Sequence, residues 1–201
     1  MTSWVGMFPG QGSQVPGMGM ELLEKYPNLL IDIFDDSLGW SLEDVINTGD
    51  AESIKKTNIA QPYIFAISYC YGLEAINKYG QASALIGHSL GEYTALAISG
   101  YFSFVDALKV ISVRGEAMQK SVENSNTGMA AVLTTDLGAT LKEITVLNSQ
   151  DIEVWISNYN DASQIVISSS IDNLEYLKSN AKALAAKRVI PLEVAGAFHS
   201  E

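Results

Sequence analysis

Cationic side chains are scarce in this chain. Twelve Lys and Arg stand against 23 Asp and Glu in 201 residues, for a net charge of −11. Phosphate backbones require a net basic face, so nucleic acid is not expected as a partner. A local basic patch would still accommodate a phosphorylated cofactor. Cysteine occurs once, at Cys70, so no disulfide forms within the chain and no cysteine-rich metal site exists. That usage fits a reducing compartment. Residues 1–8 carry no basic segment leading into an apolar run, the mark of a secretory signal. The longest apolar-rich stretch, 63–76, is interrupted by Ser68, Gly72 and Glu74 and is too short and polar to span a bilayer. The expectation is a soluble cytoplasmic protein with no membrane segment and no metal.

Apolar residues make up 47% of the chain and charged residues 17%, a composition that builds a packed core. The length suits one large domain, or a large domain holding a smaller insertion. Residues 4–8 read as a short buried strand ended by Pro9-Gly10-Gln11-Gly12. Helical patterns follow at 18–26, 29–38, 42–46 and 61–79, then an apolar strand at 84–87 and helices at 90–99 and 104–122. Beyond 127 the pattern changes. Strands at 129–133, 153–156, 164–167 and 189–194 enclose helices at 137–147 and 174–186. The order β-α-β-β-α-β is that of a ferredoxin-like module. A small domain over 128–194 is therefore expected, inserted in a larger α/β domain formed by 1–127 and 195–201.

Gly87-His88-Ser89-Leu90-Gly91 matches G-x-S-x-G. As a bare pattern it is weak, because glycine and serine are common. Its setting adds meaning, since a strand precedes it and a helix follows, as at a nucleophile elbow. There the glycines permit close approach of strand and helix, and the helix N-terminus points N–H groups at a developing oxyanion. An ordinary glycine-rich turn is the alternative.

Three other features invite chemistry. Arg114 lies beside the apolar stripe of helix 104–122, on its inward edge. A guanidinium there must meet an anion or face a cleft; a structural ion pair and a grip on a carboxylate are both open. His199 is the only histidine besides His88, which sits inside the serine motif. A serine nucleophile needs a base with a pKa near neutrality, so His199 is its natural partner, against the alternative of a solvated histidine. The loop 8–14 is neither a P-loop nor G-x-G-x-x-G, and Gln11 in it offers a side chain or a backbone N–H to a nearby site.

Taken together, FPGQGSQ at 8–14, Gln61-Pro62, GHSLGE at 87–92, VRGEAMQ at 113–119, Asn158/Asn160 and GAFHS at 196–200 resemble one family: the malonyl-CoA:acyl carrier protein transacylases and the acyltransferase domains of polyketide synthases. The six motifs occur in family order and cover essentially the whole chain. The resemblance implies an α/β-hydrolase-like large domain with an inserted ferredoxin-like small domain. It implies malonyl transfer from coenzyme A to the phosphopantetheine thiol of an acyl carrier protein. Ser89 would be the nucleophile and His199 the base, with the backbone N–H groups of Gln11 and Leu90 holding the oxyanion. Arg114 would hold the malonyl carboxylate, and Gln61 and Asn158 would order the site. Phe198, just before the histidine, accompanies malonyl selection in polyketide relatives, although the commoner version of that motif begins with His where this chain has Gly196. No permanently bound cofactor is implied; malonyl-CoA is a substrate.

Family members continue for roughly ninety residues past the histidine and supply there a backbone carbonyl that orients the imidazole. A missing C-terminal segment is therefore expected, and residues 1–201 alone are expected to be inactive or unstable. Two rivals share the motif: a thioester hydrolase of the same fold, whose members tend to lack the arginine, and an ordinary esterase, which would use an acid such as Asp136 or Asp161 and an HGGG-type loop that is absent. A third reading is an inactive fragment that only docks a carrier protein. Carrier proteins are acidic, so Lys187-Arg188 is a candidate docking patch beside the alternative of a solvated charge pair.

Overall fold

The computed structural model describes residues 3–200. Met1, Thr2 and Glu201, which end the two parts of the expected large domain, lie outside the described residues. Contacts divide the chain into two compact units, one up to Lys120 and one from Ser121. In this division residues 195–200 group with the second unit.

The first unit opens with β1 (Val5–Phe8), followed by α1 (Met20–Leu23), a π-helical stretch at Asn28–Ile33, α2 (Phe34–Leu38), α3 (Leu42–Thr48) and a 3-10 turn at Ser53–Lys55. The long helix α4 (Thr57–Tyr79), β2 (Ala84–Gly87), α5 (Gly91–Ile98) and α6 (Phe104–Val122) complete it, α6 running two residues past the boundary. Helix 18–26 shrinks to the single turn α1 because Gly17 and Gly19 adopt left-handed backbone before it. Helix α4 begins four residues earlier than the sequence suggests, at Thr57, and carries Pro62 in its interior. Its first half is buried all round: Ala60, Tyr63, Ile64, Phe65, Ala66 and Ile67 are at most 1% exposed. A helix without a polar face belongs inside a core. Around it pack Leu30, Phe34, Leu42, Ile46, Leu108 and Ile111, with Phe65 stacked on Phe104 at 5.4 Å. Each such side chain contributes roughly 1.5–3 kcal/mol by leaving water.

Strands β1 and β2 are parallel and level, Val5 opposite Ala84 and Phe8 opposite Gly87. The His88 N–H extends the ladder by donating to the Phe8 carbonyl at 3.0 Å. The glycine-rich loop and the serine turn thus leave the same edge of the sheet, at the carboxyl ends of neighbouring parallel strands, where open α/β sheets place their sites.

The second unit comprises β3 (Thr127–Leu133), α7 (Leu137–Asn148), β4 (Trp155–Asp161), β5 (Gln164–Ser170), α8 (Ile171–Ser179), a 3-10 turn at Ala181–Leu184 and β6 (Arg188–Pro191). The sheet order β4-β5-β3-β6, antiparallel throughout, is the ferredoxin-like arrangement that the sequence order implies. Asp136 and Ser170 cap α7 and α8 by accepting from the N–H groups of Ala139 and Asn173. Strand residues Ala130, Val132, Ile165, Ile167 and Val189 share one core with Ile144, Leu147, Leu174 and Leu177 of the helices. Helix 174–186 is two pieces, since it breaks at Asn180 and the 3-10 turn closes on left-handed Ala185.

Candidate active site

The serine turn is shaped by what its glycines omit. A Cβ on Gly91 would lie 2.2 Å from the Phe8 carbonyl oxygen, and one on Gly87 would lie 2.0 Å from the Gly91 carbonyl carbon. Only bare backbone lets β2 turn into α5 this tightly. Ser89 at the apex has φ +51, a left-handed conformation that costs a non-glycine residue roughly 1–3 kcal/mol. Such strain is characteristic of nucleophile elbows. Leu90 caps α5 and its side chain is buried at 1% exposure. The Gly91, Glu92 and Tyr93 N–H groups that open α5 donate back to the carbonyls of His88, Ser89 and Leu90 at 2.9, 3.2 and 3.1 Å, which leaves the Leu90 N–H as the donor beside the half-buried serine hydroxyl.

Arg114 reaches this turn from α6. Its Nη2 donates to Ser89 Oγ at 2.9 Å and its Nη1 to Gln61 Oε1 at 2.6 Å. The guanidinium carbon lies 5.7 Å from the centre of the Tyr93 ring. Among the described residues it meets no carboxylate, so the structural ion pair has no candidate partner there. Two of its five donors face uncharged oxygens, which leaves the fork able to take an anion. Gln61 is fully buried one turn inside α4. Its Nε2 donates to Met118 Sδ at 3.1 Å, which turns its oxygen toward the arginine.

The loop after β1 is tied down by its own polar groups. Gly12 N–H donates to Gln14 Oε1 at 2.8 Å, Ser13 Oγ to the Gly10 carbonyl at 2.9 Å, and Gln14 Nε2 to the Ile54 carbonyl at 3.3 Å. Gln11 is half-buried and its Nε2 donates to Thr57 Oγ1 at 3.3 Å. Ser89, Leu90, Gln11, Gln61 and Arg114 therefore all fall within the first unit.

Asn158, Phe198 and His199 fall within the second. Asn158 is half-buried on β4, opposite Val166 and beside a register shift of that strand. Phe198 is buried at 8% exposure, and its carbonyl accepts from Ser168 Oγ at 3.1 Å. The Ala197 N–H donates to Thr127 Oγ1 at 3.1 Å. His199 is exposed with φ +56, a second left-handed non-glycine position. The segment before it is thus pinned to β3 and β5. Sequence reasoning missed Thr57, Gln119 and Ser168, ordinary polar residues whose partners lie 30 to 62 positions away. Burial marks Thr57 and Ser168, while half-buried Gln119 closes the VRGEAMQ motif, which was the signal for it. Among the described residues no group of His, Cys, Asp and Glu could hold a metal ion, and no helix is long and apolar enough to cross a membrane.

The acyl transferase domain family matches residues 5–201. The malonyl CoA-acyl carrier protein transacylase of Bacillus subtilis is 42% identical over 199 residues, covering 97% of this chain and 62% of the relative. The polyketide biosynthesis malonyl CoA-acyl carrier protein transacylase of the same organism is 35% identical, with 96% and 66% covered. Among solved structures, the complex of a type II polyketide synthase acyl-carrier protein with its malonyl-transacylase superposes with a TM-score of 0.86 at 31% identity, over 97% of this chain and 64% of that one. The chain thus spans just under two thirds of the length of these relatives. With the elbow, the arginine and the ferredoxin-like unit on the fold of that solved structure, the chain belongs to the acyl transferase domain family.

Proposed function

We propose that this protein moves a malonyl group from coenzyme A to the phosphopantetheine thiol of an acyl carrier protein. The observation that carries the reading is Arg114, which donates to Ser89 Oγ and has no carboxylate of its own among the described residues. A cation beside the nucleophile suits an acyl group that ends in a carboxylate. In the first half-reaction Ser89 Oγ attacks the thioester carbon while His199 takes its proton. The backbone N–H groups of Gln11 and Leu90 stabilise the oxyanion, and coenzyme A leaves as the thiol with the proton His199 held. In the second, the carrier thiol gives its proton to His199, attacks the acyl-serine, and restores the Ser89 hydroxyl. Arg114 holds the malonyl carboxylate throughout, oriented by Gln61, while Asn158 orders the site and Phe198 fills the space that an α-methyl would need. Such a methyl is worth only about 1–3 kcal/mol of discrimination.

The same reading keeps residues 128–194 as an inserted small domain, with 1–127 and 195–201 as parts of the larger one. It puts the protein in the cytoplasm with its carrier and coenzyme A. The test is to follow malonyl after loading, with holo carrier protein present. Malonyl on the carrier thiol, in amounts matching the coenzyme A released, is expected. Free malonate as the main product would replace transfer with hydrolysis.

A further inference from the structure

Thr57 joins the two parts of the site that the reaction must keep at a fixed distance. It is the first residue of α4, fully buried, and the residue before it, Lys56, supplies no side-chain cap. The cap comes instead from α6: Thr57 N–H donates to Gln119 Oε1 at 3.0 Å, 62 residues away. On the other side its hydroxyl accepts from Gln11 Nε2 at 3.3 Å. Helix α6 comes close enough for this because of Gly115, whose Cβ position would lie 3.1 Å from the Thr57 carbonyl oxygen. One residue therefore ties the loop that carries the Gln11 N–H to the helix that carries Arg114.

We propose that Thr57 and Gln119 are positioning residues that set the span between the oxyanion donor and the carboxylate-binding guanidinium. This rests on the malonyl-transfer reading above. In malonyl thioester a single methylene separates the thioester carbonyl from the carboxylate, so the two anchors must sit at one spacing to be used together. Acetyl thioester engages only the oxyanion donor and is indifferent to the span. A looser tie costs malonyl more than acetyl.

The experiment compares malonyl and acetyl loading rates, from their coenzyme A thioesters, for the parent protein, Thr57→Val, Thr57→Ser and Gln119→Leu. Thr57→Val keeps the shape and removes the hydroxyl. Malonyl loading is expected to fall roughly tenfold in Thr57→Val, the worth of a buried hydrogen bond, with acetyl loading falling less. The malonyl-to-acetyl ratio then drops, Thr57→Ser restores it, and Gln119→Leu lowers it. Loss of folded protein alone would scale both rates together and leave the ratio fixed. An unchanged ratio in Gln119→Leu and in any folded Thr57→Val, with the parent loading malonyl, overturns the positioning role. A full-length parent that loads no malonyl at Ser89 overturns the malonyl-transfer reading itself, and this inference with it.

Discussion

Arg114 donates a 2.9 Å hydrogen bond to the hydroxyl of Ser89, and the same guanidinium donates at 2.6 Å to buried Gln61. The contact puts a permanent positive charge beside the hydroxyl proposed as the nucleophile, in an otherwise acidic chain. Under the proposed malonyl transfer it would also give a reason for selectivity, because only an acyl group bearing its own anion rewards the charge.

Arg114→Ala should therefore change which substrate is used more than whether any is used. Malonyl loading is expected to fall roughly 100-fold, the loss of a charge-assisted hydrogen bond of about 3 kcal/mol, while acetyl loading falls far less. Arg114→Lys should lie between, since an ammonium keeps the charge and loses the planar fork. Competition between the two thioesters measures both.

Gly91→Ala should disrupt the elbow. Its methyl would meet the Phe8 carbonyl oxygen at 2.2 Å, and backbone cannot yield as a flexible side chain can. The expected destabilisation is about 3 kcal/mol, read as a lower urea midpoint, with loss of Ser89 acylation.

Ser168→Ala tests the support of the histidine segment. Ser168 is fully buried and donates to the Phe198 carbonyl; its oxygen in turn lies 2.7 Å from Ser157 Oγ. Since its single proton goes to Phe198, Ser157 is the donor in that second bond. Removing the hydroxyl should cost about 1–3 kcal/mol of stability and slow acyl transfer by loosening the backbone next to His199. Urea unfolding and loading rate together check this.

Alkaline pH should destabilise the first unit. Burial pushes the Cys70 thiol from 9.0 up to about 12 and the Tyr63 hydroxyl from 10.0 up to about 12. Both groups are held neutral in the fold, so their contribution is complete below the unfolded values and is lost as pH climbs from about 9 to about 12. The urea midpoint is expected to decline across that window. In Cys70→Ala the decline should begin about one pH unit later, with the tyrosine.

Local signals made much of this legible in the sequence. The elbow announces itself through glycines on either side of Ser89, and the split-βαβ order through alternating strand and helix periods after residue 127. The start of α4 was not legible, because the group that caps it is Gln119 of another helix and not a residue next to Thr57. Nor was the setting of Arg114. The apolar stripe indicates an inward-leaning guanidinium, but that it meets Ser89 and Gln61 depends on how α4, α5 and α6 pack. Strand β4 runs to Asp161, past the expected residue 156, its register shifts after Ile156 interrupting the alternation that marks a strand.

The most direct test of the acyl-enzyme is the intact mass of the full-length protein after exposure to equal malonyl-CoA and acetyl-CoA, with Ser89→Ala alongside. The account predicts a mass gain of one malonyl group, little acetyl, and no gain in the variant. Acetyl in excess over malonyl, or a malonyl adduct that survives in Ser89→Ala, would contradict it.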